Sequence, residues 1–405
     1  MSIISGGPGV GKTTSVRVLV DLLEQRGVAC LLLSPTGKAA KRLAEATLRD
    51  AYTIHRQLYS LDRQRAQLEA KSRHPVELFL PGDAVIVDEA SMVDLPLLAW
   101  LLRSVSPRTR LIFVGDKDQL ASVGPGSVLR DLIACGRIPL TLLTVIKRQG
   151  EGSPIVEAAH AINHGQLPVP RSTPAGDLYI LRARPASEDE GVHAQRLVVE
   201  SAVRLSAQVI SPQHTSSVGV SALNAALQAR LNPPAPSTPE VRVGEAVFRL
   251  GDRLIVGKNN YQTLCFNGET GEIVDIGPEL LTLRMDDAQG ERLVDYERDD
   301  WWQLQLAYAI TSHRAQGSEW DNVVVVVSQS HYMMLQRNLL YTALTRARKR
   351  AVIVWSGGLA NKQTGQIYRT ALQVAVANNR IARRYSGLAE RLERAIVEVA
   401  RLSAG

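Results

Sequence analysis

The residues Gly6-Gly7-Pro8-Gly9-Val10-Gly11-Lys12-Thr13 fit the pattern G-x-x-x-x-G-K-[ST]. In such a loop, glycines let backbone N–H groups wrap phosphate oxygens, and the helix that follows offers its N-terminal dipole to the same charge. Lys12 would reach the β- and γ-phosphates and the Thr13 hydroxyl would hold Mg²⁺. The flanks agree. Ser2-Ile3-Ile4-Ser5 is a short apolar strand candidate, and Thr14 to Gln25 carries apolar residues at helical spacing. Further on, Val85-Ile86-Val87-Asp88-Glu89-Ala90-Ser91 ends an apolar strand in two carboxylates. Asp88 suits the Mg²⁺ that bridges phosphates, and Glu89 suits the orienting of an attacking water. Val114-Gly115-Asp116-Lys117-Asp118-Gln119-Leu120 then follows a third strand candidate. A polar Gln there can report whether a γ-phosphate is present. A Gly-Asp turn is common by itself; it becomes informative in this order after D-E-A-S.

The elements that must carry these residues alternate. Ile3-Ile4, Ala29 to Leu33, Ala84 to Val87 and Leu111 to Val114 are continuously apolar, as strands of a parallel sheet covered on both faces would be. Helical stretches lie between them, which is the doubly wound α/β pattern. The polar stretch Arg56 to Pro81 interrupts that rhythm and reads either as a projecting insertion or as a solvated connecting helix. A second α/β unit begins after Gln149, with strand candidates Ala207 to Ser211, Asn322 to Ser328 and Ala351 to Trp355. Inside it, Glu240 to Arg298 has short alternating segments punctuated by Gly, Asn and Asp: Glu245 to Leu250, Asp252 to Val256, Gly271 to Ile276 and Leu280 to Met285. That texture predicts a small inserted β-barrel, entered through the Pro-rich Pro233 to Pro239. Arg380 to Leu402 is a basic amphipathic helix candidate, with Leu388, Leu392, Ile396 and Val399 on one face.

A chain of 405 residues is long enough for two domains or more, each with its own core. Hydrophobic content of 45% and charged content of 21% exclude a disordered or fibrous chain. No apolar run approaches ~20 residues, and the loop at Gly6 breaks any leader-like apolar stretch, so neither a membrane span nor a signal peptide is expected. Cys30, Cys135 and Cys265 are far apart and odd in number, a reduced and cytoplasmic pattern. The net charge of +7 favours a polyanionic partner without specifying one.

The motifs together resemble a family. The phosphate loop, then S-P-T-G-K-A-A, D-E-A-S-M, G-D-x-x-Q-L and K-R-Q, looks like a superfamily 1 helicase. Leu306 to Trp320 (LAYAITSHRAQGSEW) is similar to motif V of the RecD-like, type B DNA helicases, and Arg337 to Arg348 (RNLLYTALTRAR) resembles their motif VI. Gly251-Asp252-Arg253, Lys258-Asn259-Asn260-Tyr261 and Phe266-Asn267-Gly268-Glu269 resemble the opening of their SH3-like barrel. The resemblance covers nearly the whole chain. It implies two RecA-like P-loop NTPase domains, at 1–149 and at 150–238 plus 300–405, with an SH3-like β-barrel at 239–299 inserted in the second. It also implies an ATP hydrolase that uses Mg²⁺ and unwinds DNA 5′→3′, in repair or recombination, acting as a monomer on single-stranded DNA and tailed duplexes.

Roles transfer residue by residue. The resemblance assigns ATP to Gly7, Pro8, Gly9, Val10, Gly11, Lys12, Thr13, Thr14, Gly317 and Glu319, and Mg²⁺ to Thr13 and Asp88. Glu89 serves the attacking water, and Gln119 couples hydrolysis to DNA. Arg148 and Arg346 match the motif IV and motif VI arginines, rigid bidentate donors to the γ-phosphate. DNA contacts are implied at Pro35, Thr36, Gly37, Lys38, Tyr52, Thr53, His55, Asn259, Thr311 and His313. Such hydroxyl, amide and cationic donors position a strand without reading its sequence. The charged stretch 56–81 is a candidate strand-separating pin.

Three departures stand out. Ala121 follows Gln119-Leu120 where the family has proline, and Ser312 replaces an apolar residue before His313. Only five residues precede the phosphate loop, so the family's upstream adenine-reading glutamine and accessory region are expected to be missing, at a cost in base selectivity. Competing readings are a non-catalytic DNA-binding subunit, the helicase part of a conjugative relaxase, a viral RNA helicase, and a fragment of a helicase.

Overall fold

The computed structural model describes residues 1–72, 76–145, 152–174, 176–184, 189–260, 263, 265, 267–286, 292–360, 367–379 and 387–402. The chain divides into two compact units, Met1–Arg148 with Ala382–Gly405, and Gln149–Ile381.

The first unit runs β1 (Ser2–Gly6), α1 (Lys12–Glu24), β2 (Cys30–Ser34), α2 (Gly37–Thr47), β3 (Ala51–Thr53), α3 (Ile54–Glu69), β4 (Ala84–Val87), α4 (Leu95–Ser104), β5 (Arg110–Gly115), α5 (Val128–Ala134) and β6 (Leu140–Leu143). All six strands are parallel, in the order β3-β2-β4-β5-β1-β6. The period-two alternation of strands explains their unbroken apolarity. Leu31, Leu33, Val85, Val87, Leu111 and Phe113 pack on one face with α3, α4 and α5. Leu32, Ile86, Ile112 and Val114 pack on the other with Val16, Val20 and Leu43 of α1 and α2.

The stretch 56–81 differs from a projecting insertion over its helical part. Ile54, Leu58 and Leu61, one face of α3, are buried in the first core. The Trp100 indole Nε1–H of α4 donates to Asp62 at 3.0 Å, tying the two helices together. Residues 73–75 lie outside the described residues.

The second unit opens with α6 (Pro154–Asn163), β7 (Arg171–Thr173), β8 (Gly176–Arg182), α7 (Glu190–Leu205), β9 (Gln208–Ser211) and α8 (Val220–Leu231). An antiparallel insert follows: β10 (Glu240–Val243) and β11 (Ala246–Arg249) pair as a hairpin, while β12 (Arg253–Val256), β13 (Thr270–Ile276), β14 (Leu280–Met285), β15 (Arg292–Glu297) and β16 (Leu304–Leu306) form a sheet in the order β15-β14-β13-β12-β16. They share one core around Phe248, Leu254, Ile273, Leu283 and Tyr296. The sheet takes in β16, so it runs to Leu306, past the expected end at 299. The unit is completed by β17 (Ala309–Thr311), β18 (Trp320–Ser328), α9 (Arg337–Leu344), β19 (Ala347–Ser356), the β20 (Gly358–Ala360) and β21 (Ile367–Thr370) hairpin, and α10 (Ala371–Ala377). Its main sheet, β17-β9-β18-β19-β8-β7, is parallel except for β7.

A buried carboxylate joins the insert to this sheet. Asp252, fully buried, accepts hydrogen bonds from Gln228 Nε2 of α8 (2.5 Å), from Asn232 Nδ2 just after that helix (2.7 Å), from the Arg249 N–H (2.8 Å) and from the Tyr308 hydroxyl (2.8 Å). Four donors from three elements satisfy a charge that would be costly to bury alone.

The last helix, α11 (Leu388–Leu402), was expected within 300–405 of the second domain; it belongs instead to the first unit. Leu388 and Leu392 pack against the first core beside α5. Amphipathic spacing identifies which face of a helix is buried and leaves open what buries it.

Candidate nucleotide and strand-binding site

Among the described residues of the first unit, the phosphate loop, Asp88, Glu89 and Gln119 sit at the carboxyl ends of its parallel strands, where open α/β sheets bind ligands. Gly9 (φ 73°) and Gly11 (φ 80°) take left-handed backbone that other residues resist. A Cβ on Gly6 would come within 2.7 Å of the Leu143 carbonyl and of Val10. The loop therefore needs glycine on steric grounds. Helix α1 starts at Lys12 with no side chain capping its first amides, which leaves them for an anion. The Lys12 ammonium donates to the Gly6 and Gly7 carbonyls, both at 2.7 Å.

Strand β4 delivers Asp88, whose N–H donates to the Leu33 carbonyl at 2.9 Å. Burial, then the neighbouring Glu89 charge, pushes the Asp88 carboxyl up to about 6. The Glu89 N–H, which donates to it at 2.8 Å, and the Lys12 and Arg42 charges pull the other way. A divalent cation is the natural counter-charge for such a carboxylate. Glu89 itself has φ 51°, a left-handed conformation costing of order 1–3 kcal/mol for such a residue. The chain holds this strain at the turn that aims the second carboxylate. Gln119 is buried, with Nε2 3.4 Å from Asp116 Oδ2.

Four side-chain oxygens here are buried without a protein partner among the described residues: Ser5 Oγ, Ser34 Oγ, Ser91 Oγ and Gln119 Oε1. They cap β1 and β2 and follow β4 and β5. Orphaned acceptors and donors at one sheet edge are what a hydrated phosphate–metal ligand would satisfy, so this donor set fits a nucleotide with Mg²⁺. The expected residues Gly7, Pro8, Val10, Thr13 and Thr14 lie in the same loop and first turn of α1, half-buried except Val10, which is buried, and Thr14, which is exposed. Arg42 is an addition to the expected set; its position on α2, four residues after Lys38, was the available signal.

Two helix N-termini stand beside this edge. Thr36 caps α2, its Oγ1 accepting from the Ala39 N–H at 3.3 Å, and Thr53 caps α3, accepting from Arg56 N–H at 3.1 Å. Because Ser34 pairs with Thr53 in the sheet, the two caps are neighbours. Pro35, Gly37 and Lys38 surround the first cap, and Tyr52 and His55 the second. Burial, opposed by Asp94, lowers the His55 imidazole below its usual range. Thr36 and Thr53 thus have a capping duty whatever else they do.

In the second unit, the pairing of β18 with β19 brings motifs V and VI together: Trp320 pairs with Ala347, and the Trp320 N–H donates to the Arg346 carbonyl at 2.9 Å. Arg346 is 3% exposed. Its guanidinium donates to the carbonyls of Thr342 (3.0 Å) and Ser318 (3.2 Å) and to Thr345 Oγ1 (3.2 Å), all neutral oxygens. Gly317 (φ 72°) turns the chain next to it, and Glu319 pairs with Arg348 at 3.2 Å. Thr311 ends β17 and accepts from the Arg314 N–H at 3.3 Å, with His313 two residues on. Asn259 Oδ1 accepts from the Asn267 N–H at 2.8 Å, bracing the loop after β12. Arg148, Tyr261 and Phe266 lie outside the described residues.

A phosphate loop on a parallel sheet, a carboxylate pair on the next strand but one, and a second α/β unit bearing a buried arginine define a P-loop fold of the tandem type. Comparisons narrow the class. Residues 1–177 match the AAA domain family, residues 223–296 the ATP-dependent RecD-like DNA helicase SH3 domain, and residues 306–354 the UvrD-like helicase C-terminal domain. An ATP-dependent RecD2 DNA helicase of Deinococcus radiodurans is 38% identical over 96% of this chain and 50% of its own length. A RecBCD enzyme subunit RecD of Mycobacterium tuberculosis is 31% identical over 97% of this chain and 71% of its own. The chain thus spans half the length of the first relative. In fold it is similar to a Bacteroides Pif1 solved bound to ssDNA, with a TM-score of 0.54 at 19% identity over 89% of each chain. The chain belongs to the RecD-like DNA helicases.

No helix among the described residues is long and apolar enough to cross a membrane. The three cysteines are free.

Proposed function

We propose that this chain is the motor of an ATP-dependent DNA helicase that moves 5′→3′ along single-stranded DNA in repair or recombination. The observation that carries the reading is the edge of the first sheet. Glycine-dictated loop, uncapped α1 N-terminus, raised Asp88 carboxyl and four orphaned oxygens converge there. Lys12 and the loop amides hold the phosphates, Thr13 and Asp88 hold Mg²⁺, and Glu89 orients water. The metal, when bound, neutralises charge on the phosphates. Gln119 links that chemistry to the strand. Arg346, and Arg148 by resemblance, supply donors for the charge that develops on the transferred group. Gly317 and Glu319 help bind nucleotide. The Thr36 and Thr53 caps, with Pro35, Gly37, Lys38, Tyr52 and His55, track the strand, as do Asn259, Thr311 and His313 in the second unit. Since α3 is docked on the core, the strand-separating role proposed for 56–81 falls to residues that follow it.

The test is strand displacement with ATP and Mg²⁺ on duplexes carrying a 5′ or a 3′ single-stranded tail. Unwinding of the 5′-tailed duplex alone is expected. Preference for the 3′ tail overturns the polarity; no unwinding and no DNA-stimulated phosphate release overturns the motor reading.

A further inference from the structure

Four non-glycine residues among the described ones hold a left-handed backbone: Leu48, Glu89, Ser206 and Ser216. Leu48 and Ser206 end α2 and α7, where such a turn is common. Glu89 aims the carboxylate pair. Ser216, at φ 88°, ends no helix and lies exposed in the loop between β9 and α8. A side chain in that conformation is strained, and such strain persists only where the surroundings hold it.

The hold comes from beyond β18. The Ser216 hydroxyl is 2.8 Å from Nε2 of His331, which is fully buried just after that strand. Burial, against the Thr215 backbone, lowers the His331 imidazole below its usual range. The ring is therefore neutral, and Nε2 can accept from the hydroxyl. The Ser330 hydroxyl donates to Ser216 Oγ at 3.4 Å and lies 2.9 Å from Ser328 Oγ, which accepts from the Ser356 hydroxyl at 2.9 Å. Ser328 and Ser356 are the last residues of β18 and β19, so the strained serine is moored to the carboxyl edge of the sheet. The rest of the loop is folded tightly. Ser211 Oγ donates to the Val218 carbonyl at 2.7 Å, and the N–H groups of Val220 and Ser221 donate to the Gln213 and His214 carbonyls at 2.8 and 3.1 Å. A Cβ on Gly219 would overlap the Thr215 carbonyl oxygen.

This mooring aims the tip of the loop. Ser211 pairs with Thr311 in the sheet. Burial and then the Arg314 charge lower the His214 imidazole. His214 and Thr215, both exposed, thus stand beside the turn from Thr311 to Arg314, on the strand path proposed above. Hydroxyl and imidazole donors on a braced loop suit the phosphates of one strand. We propose that His331 is a positioning residue for strand binding: by holding Ser216 in its left-handed turn, it fixes the loop 212–219 beside Thr311 in the form that grips single-stranded DNA. This rests on the helicase reading and adds to it a residue that acts from within the core.

The experiment measures ATP hydrolysis by the intact chain against the concentration of a thymidine oligonucleotide of about 12 nucleotides. Ser216→Ala keeps the strained Cβ and loses the hydroxyl; His331→Phe fills the same space without the acceptor. Each should raise the DNA concentration for half-maximal rate about tenfold and keep kcat at saturating DNA. Ser216→Gly takes the left-handed turn without strain. It should behave as the parent, and it should restore the half-saturation of His331→Phe when the two are combined. Where His331→Phe does not fold, the contrast between Ser216→Ala and Ser216→Gly decides alone. Equal loss in those two, or no loss in Ser216→Ala, overturns the proposal, as does a fall in kcat with half-saturation unchanged. A parent that DNA does not stimulate overturns the helicase reading and the proposal with it; a stimulated parent without the alanine–glycine contrast overturns the proposal alone.

Discussion

Lys12 and Arg346 are both cations set at the ends of parallel sheets, yet the fold treats them differently. The Lys12 ammonium rests on two loop carbonyls, half-buried, on a stem that can swing. The Arg346 guanidinium is buried and fixed by three oxygens from a helix, a turn and a side chain. An ammonium is a compact charge that can follow a phosphate; a guanidinium is a planar fork whose value lies in being already aimed. On the proposed reading, one residue is a ligand carried on a long aliphatic stem, the other a donor built into the frame that carries it. The difference predicts that activity and stability separate at Lys12 and fall together at Arg346.

The largest effect should come from breaking that contrast directly. Arg346→Ala should lower kcat for DNA-stimulated ATP hydrolysis by about 10³-fold or more. It should also lower stability by about 1–3 kcal/mol, because buried acceptors lose their donor; Arg346→Lys should not rescue the rate. Lys12→Ala should lose hydrolysis by at least about 10²-fold while its denaturation midpoint stays close to the parent and single-strand binding persists. Steady-state ATPase assays and urea melts read both. The contrast collapses if Lys12→Ala unfolds as readily as Arg346→Ala.

A smaller effect sharpens the first region. The raised Asp88 carboxyl means that the folded chain holds a proton more tightly than the unfolded chain, whose value is near 3.8. Stability that depends on Asp88 must then rise as pH falls through about 6, since the native state binds more protons there. Asp88→Asn should be the more stable protein at neutral pH without metal, and its advantage should shrink on acidification. Chemical denaturation at a series of pH values in chelator reads the difference; a gap that widens on acidification refutes the burial argument.

The smallest effect tests the second region. Ser312 is 1% exposed, and its hydroxyl is buried without a protein partner among the described residues. Ser312→Val should stabilise the chain by about 1 kcal/mol, seen as a modest rise in Tm with ATPase activity retained.

Much of this architecture was legible in residue order because both main sheets are covered on two faces. Ala84–Val87 reads as a strand since every residue in it is buried. The alternating strands of the insert were legible too, but an edge strand of the first main sheet and a strand beside the edge of the second were not. Residues Leu140–Leu143 form the outermost strand β6 with Leu140 and Leu142 exposed, and β8 is buried at a single position. Hydrophobic patterning reports burial, and these strands have little to report. Charge misled at α3, where arginines on the outer side hid the Ile54, Leu58 and Leu61 face. The glycines, Lys12 and the carboxylate pair were readable because their chemistry demands fixed spacing. The Ser216–His331 pair was not, since its partners are 115 residues apart in the chain.

Insertion of the antiparallel sheet also sets an order of assembly. Ile210 pairs with Ile310, one hundred residues onward. Closing so long a loop is entropically unfavourable until its interior has condensed. The hairpins of the insert have local partners and can form first, drawing β16 and Tyr308 onto Asp252 and shortening the gap. Strand β17, which ends in Thr311, is then the final edge laid onto β9. A chain caught before that step keeps a bare strand edge, the form most open to pairing with another copy of itself.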